Sequence, residues 1–143
     1  MKCVVENLEQ TEQLAKSLAK ELHAGTVIAL NGEMGAGKTT FVRFLARICG
    51  ITDNVHSPTF NILNIYSGKI PFYHFDFYRL NNAADLENIG GADFIPSQDG
   101  ITIIEWAEKL PEILPKDYLE IQISVEDEQR IFTLIPHSAI NGQ

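Results

Sequence analysis

Short apolar runs alternate with amphipathic stretches along this chain. Cys3-Val4-Val5 alternates within residues 1–7 and reads as an edge strand. Leu14, Leu18 and Leu22 stand four apart with Ala15 and Ala19 beside them, which predicts one helix over 8–22. Thr11 is an alternative N-cap for that helix, and Gly25 ends it. Residues 26–31, Thr-Val-Ile-Ala-Leu-Asn, form a β-branched apolar run of the kind a buried parallel strand needs. Phe41, Val42, Phe44, Leu45 and Ile48 then recur at helical spacing up to Gly50.

Beyond a loop at 51–56, Pro58 pushes Ser57 out of the helical region. Phe60 to Tyr66 is apolar on alternate positions, Ser67-Gly68-Lys69 is a turn, and 70–78 returns, so an antiparallel hairpin is expected. A short helix at 81–88, with Leu86 and Ile89 facing inward, breaks at Gly90-Gly91 and gives way to a loop over 92–100. Ile101-Thr102-Ile103-Ile104-Glu105 is a second buried-strand run. Leu119, Ile121, Ile123 and Val125 share one face of a strand over 118–125. A polar turn at 126–129 and a return strand over 130–136 complete a second hairpin. Residues 138–143 are expected to fray.

The 143 residues are enough for one domain over 1–143 with its own core. The apolar runs are too short to span a bilayer and the first residues lack a signal core. With only Cys3 and Cys49 there is no disulfide framework, so a cytoplasmic protein is expected, with Cys49 as a small core residue. The net charge of −8 opposes strong direct binding to nucleic acid, which uses a basic surface to displace counterions.

The chemistry centres on Gly32-Glu33-Met34-Gly35-Ala36-Gly37-Lys38-Thr39-Thr40, which fits G-x-x-x-x-G-K-[ST] between a strand and a helix. Gly32 closes a turn after the strand. Gly35 and Gly37 allow backbone conformations that a Cβ forbids, so that N–H groups converge on an anion. Lys38 supplies a charge for the β- and γ-phosphates, Thr39 a hydroxyl for Mg²⁺, and the helix its positive end. Such a site needs a carboxylate near the metal. Glu105, at the end of an apolar strand, is the favoured Mg²⁺ ligand. Asp76, set among aromatics, is the favoured group to orient water. Thr59 is a candidate switch-loop threonine, and Arg130 a candidate phosphate or base contact. The four histidines have no metal-ligand spacing. No Asn-Lys-x-Asp guanine reader occurs, which favours ATP. With only four arginines there is no arginine-rich lid, which favours hydrolysis over a small-molecule kinase.

Taken together, the Gly32–Thr40 loop, Ser57-Pro58-Thr59-Phe60, His74-Phe75-Asp76-Phe77-Tyr78-Arg79-Leu80 and Ile104-Glu105-Trp106 resemble the TsaE (YjeE) family, bacterial P-loop ATPases of tRNA N6-threonylcarbamoyladenosine synthesis. Glu33-Met34 stands where that family commonly has Asp-Leu. The resemblance implies a three-layer α/β P-loop NTPase-like domain with a mixed sheet. It implies that Thr39 and Glu105 hold Mg²⁺, and that Lys38 and the loop (Gly32, Gly35, Ala36, Gly37, Thr40) cradle phosphates. Thr59 and Asp76 would then be the switch-like threonine and the catalytic aspartate. Leu8 to Thr11 would border adenine, with Glu108 and Arg130 as further nucleotide contacts. The implied partners are the threonylcarbamoyltransferase subunit, TsaD, and its inactive paralogue, TsaB. The family's ATPase cycle would support repeated turnover without performing the transfer. A nucleotide-gated scaffold with no necessary hydrolysis is a third reading.

Overall fold

A computed structural model describes residues 1–33, 35–58 and 61–138. Met34, Thr59, Phe60 and the tail expected to fray beyond Ser138 lie outside the described residues. The elements in chain order are β1 (Lys2–Val5), α1 (Leu8–Ala19), β2 (Val27–Gly32), α2 (Lys38–Ile48), β3 (Leu63–Tyr66), β4 (Phe72–Asp76), α3 (Ala83–Asn88), β5 (Ile101–Glu105), β6 (Tyr118–Glu126) and β7 (Gln129–His137). They build a seven-stranded mixed sheet in the order β1-β7-β6-β2-β5-β4-β3. The central strands β6, β2, β5 and β4 run parallel. Both expected hairpins, β3–β4 and β6–β7, are antiparallel, and β1 is an edge strand on β7.

Burial follows from this order. On one face Ile28, Leu30, Ile103, Ile121 and Ile123 pack against Ala15 and Leu18 of α1 and Phe41, Val42 and Leu45 of α2. On the other, Val27, Ala29, Tyr73, Phe75 and Ile104 pack under Leu86 of α3 and under short 3-10 turns that contribute Ala107. β4 and β5 are covered on both faces, so every residue in them is buried. Among the described residues no helix is long and apolar enough to cross a membrane.

Several boundaries differ from the pattern-based expectations, each for a local reason. Asn7, not Thr11, caps α1: its side chain accepts from Gln10 N at 2.9 Å, and Gln10 Oε1 in turn accepts from Glu6 N at 2.8 Å. Thr11 is buried one turn in and donates back to the Asn7 carbonyl. α1 stops at Ala19 because Glu21 N and Leu22 N bond three residues back, unwinding it toward Gly25. α2 ends as expected at Gly50, in a Schellman arrangement with Ile51 N on Ala46 O and Gly50 N on Arg47 O. β3 starts at Leu63, since Ile62 is left-handed at φ 66°. β4 ends at Asp76, whose Oδ1 accepts from Tyr78 N at 2.8 Å and turns the chain. Ile89 is 42% exposed because α3 has already ended at Asn88, and Val125 is exposed where the sheet outruns its helices.

Candidate functional site

The site forms where four parallel strands end. Gly32 is the last residue of β2, and a Cβ there would stand 2.9 Å from the Ile123 carbonyl. Its requirement is thus close packing on β6 as well as a turn. Gly35 (φ +84°) and Gly37 (φ +101°) both take the left-handed backbone that the motif predicts. Gly37 is the N-cap of α2 and, as a glycine, offers the helix end no side-chain cap of its own. Lys38 Nζ donates to the Gly32 carbonyl at 2.6 Å, stands 3.8 Å from Glu105 Oε1 and lies 5.1 Å from the centre of the Trp106 ring.

Opposite the loop are the two carboxylates. Asp76 and Glu105 are register partners at the ends of adjacent parallel strands, so their side chains share the α1–α2 face. Both are buried. A cavity of about 470 Å³ is lined by Gly35, Gly37, Lys38, Thr39, Thr40, Ser57, Asp76, Glu105 and Trp106. One lysine against two carboxylates makes this lining acidic. A hydroxyl and carboxylate oxygens are the hard donors Mg²⁺ prefers, and Mg²⁺ ordinarily takes one or two protein carboxylates and completes its shell with phosphate oxygens and water. Among the described residues no cluster of three or more His, Cys, Asp or Glu forms a protein-only metal cage. The glycine-capped helix end, the two left-handed glycines and this donor set fit a nucleotide polyphosphate with its cation.

A second cavity of about 240 Å³ shares Gly37 and Thr40 with the first. It is walled by Val5, Leu8, Thr11, Ala36, Glu128, Arg130 and Phe132, a mixture of apolar surface and polar edges suited to a base. Arg130 reaches across from β7, and its Nε donates to the Ala36 carbonyl at 3.1 Å. Leu8 and Thr11, expected to border adenine, and Arg130, expected as a further nucleotide contact, are therefore brought together beside the loop. Glu108 is not: it is exposed in the turn after Glu105 and lines neither cavity. Thr59 lies outside the described residues, although its neighbour Ser57 lines the larger cavity.

Sequence reasoning missed His74, whose Nε2 is 2.6 Å from Glu105 Oε2. Its only signal was a position two before Asp76, hence on the same strand face. It also missed Glu128, signalled only by the polar turn before Arg130. Cys49, expected in the core, is half-buried against its edge, and that burial raises its thiol pKa.

A sequence model described as "Threonylcarbamoyl adenosine biosynthesis protein TsaE" matches residues 5–132. The chain belongs to the TsaE family. It is 43% identical over 117 residues to the tRNA threonylcarbamoyladenosine biosynthesis protein TsaE of a Synechocystis strain, covering 79% of this chain and 74% of that protein. The TsaE of Bacillus subtilis is 40% identical over 133 residues, covering 90% of this chain and 82% of that one. The crystal structure of Bacillus subtilis YdiB superposes with a TM-score of 0.79 at 33% identity, over 99% of this chain and 87% of that one. The P-loop NTPase-like fold of this TsaE-family chain thus agrees in sequence and in structure. The curated relatives are named for biosynthesis of a modified tRNA nucleoside.

Proposed function

We propose that this chain binds and hydrolyses ATP as a component of the tRNA threonylcarbamoyladenosine machinery. In this reading it supports turnover of the transferase, TsaD, with its paralogue TsaB, and does not carry out the transfer. The observation that carries the reading is the convergence of Lys38, Thr39, Asp76 and Glu105 on one cavity at the end of a P-loop. The loop N–H groups and Lys38 bind the β- and γ-phosphates, and Thr39 and Glu105 hold Mg²⁺. When bound, that ion neutralises charge on the phosphate oxygens. Asp76, held by the Tyr78 amide, orients water toward the terminal phosphate. Thr59 acts with Asp76 as a sensor of that phosphate. Leu8, Thr11 and Arg130 hold the base side.

The test is phosphate release from Mg²⁺–ATP, by the chain alone and with the transferase pair. Slow release alone, faster release with the pair, and loss of about 100-fold or more in Lys38→Ala are expected. A hydrolysis rate that needs a small-molecule acceptor, with no response to the pair, would identify a kinase instead. Full tRNA modification in cells by a hydrolysis-dead variant would identify a scaffold.

A further inference from the structure

Among the described residues, His74 is the one fully buried ionisable side chain that the proposed function leaves without a task. It sits at the middle of β4, in a strand where every residue is buried, with 0% exposure. Nε2 lies 2.6 Å from Glu105 Oε2, while Nδ1 is buried with no hydrogen-bond partner among the described residues. A Phe or Ile would fill this place without stranding a polar atom, so packing alone does not account for a histidine. The contact it makes does. The two oxygens of Glu105 have different neighbours: Oε2 meets the ring, and Oε1 is turned to Lys38 at 3.8 Å on the cavity side. A carboxylate turns readily about its last bond unless a donor fixes one oxygen. Nε2 must carry the hydrogen, because a bare ring nitrogen at this distance would set two acceptors against each other. The ring itself is seated beside Tyr66, at 6.1 Å between centroids, and the Tyr66 hydroxyl donates to the His56 carbonyl at 2.8 Å.

We propose that His74 is a positioning residue: its Nε2–H fixes Glu105 Oε2 so that Oε1 faces the cation that accompanies the nucleotide. The inference rests on the metal role given to Glu105 above. Groups that hold a metal-binding carboxylate in place are typically worth about 10–100-fold in metal affinity.

The experiment measures Mn²⁺ affinity of the ADP-bound chain by electron paramagnetic resonance, and ADP affinity in the absence of metal. His74→Phe is expected to weaken Mn²⁺ about 10–100-fold and to leave metal-free ADP affinity within about twofold. His74→Gln, which returns an N–H donor near the position of Nε2, is expected to recover most of the loss. A His74→Phe chain that binds Mn²⁺ like the unaltered protein overturns the proposal. Should His74→Phe fail to fold, ring ¹⁵N spectra of the unaltered chain decide it. An Nε2–H tautomer whose signal moves when Mg²⁺ is added to the ADP complex supports the proposal; an Nδ1–H tautomer, or no movement, overturns it. Glu105→Gln separates the two layers. If that variant keeps full Mn²⁺ affinity, the metal role of Glu105 falls and this inference with it. If it weakens Mn²⁺ and His74→Phe does not, only this inference falls.

Discussion

The two ends of the parallel strands are built on opposite rules. At the end where β4 and β5 begin, Ser97 and Tyr73 both donate to Asp99 Oδ1, at 2.6 and 3.0 Å, and Tyr73 stacks on Phe94 with ring centres 4.5 Å apart. Gly100 is packed so tightly that a Cβ would stand 2.4 Å from the Pro71 carbonyl. At the end where those strands finish, the backbone is strained. The non-glycine residues with positive φ among the described residues are Ile62, Trp106, Asp127 and Glu128. Ile62 bonds the amide of Asp76, Trp106 follows Glu105, and Asp127-Glu128 is the tight β6–β7 turn beside the smaller cavity. Left-handed backbone in such residues costs about 1–3 kcal/mol each, and it collects where a site constrains the chain. One end is made to stay shut and the other to present groups, and a single sheet carries both.

The sharpest way to break this comparison is a change at the open end that leaves the fold alone. Asp76→Asn should lower ATP turnover by about 100-fold or more, with a thermal midpoint within a few degrees of the unaltered chain. Phosphate release and a melting scan check it together. A large loss of stability with modest loss of rate would make Asp76 a structural acid and erase the contrast.

A smaller effect is expected at the β6–β7 turn. Both central residues of this two-residue loop have positive φ, 48° for Asp127 and 69° for Glu128, a geometry that favours Gly at the second position. Glu128→Gly should therefore stabilise the chain by about 0.5–1 kcal/mol in urea unfolding. Since Glu128 lines the smaller cavity, ADP titration of the same variant reports whether the strain serves the site. Unchanged ADP affinity would mean that the strain is incidental there.

The gentlest test is at the closed end. Hydrogen bonds from Ser97, and then from Tyr73, hold the Asp99 carboxyl below its ordinary value of 3.8, against a small opposing effect of burial. A carboxyl lowered by folding adds stability above its unfolded value, and that stability is lost as pH falls through the folded one. Stability should thus decline in acid below about pH 4. Ser97→Ala should flatten part of that decline with turnover unchanged, as read by urea midpoints from pH 6 down to 2.5. An equal slope in both proteins would remove Asp99 from the account.

What could be read from residues alone follows the same division. The stretch from β2 through the loop into α2 is local, because strand pattern, glycine spacing and the Gly50 stop all act within a few residues of themselves. The terminal acid of β5 was visible for the same reason. That Asp76 stands level with Glu105 depends on the register of β4 against β5, set by packing between segments that are far apart in sequence. The contact of His74 with Glu105 was hidden likewise, since within His74-Phe75-Asp76 it reads only as one more large side chain. The cap at Asn7 was readable after all, as Asn followed by Gln three positions on. The start of β3 was misjudged because alternation continues through Ile62, whose left-handed turn leaves no mark in hydropathy.

The hydrogen bond from Lys38 Nζ to the Gly32 carbonyl has a consequence for affinity. Under the proposed function that bond pre-orients the lysine: an ammonium has three N–H donors, so it keeps the peptide oxygen while another donor meets an incoming phosphate. Part of the cost of ordering a long, flexible side chain is then met before nucleotide arrives. When the phosphate departs, the peptide oxygen keeps the charge in place.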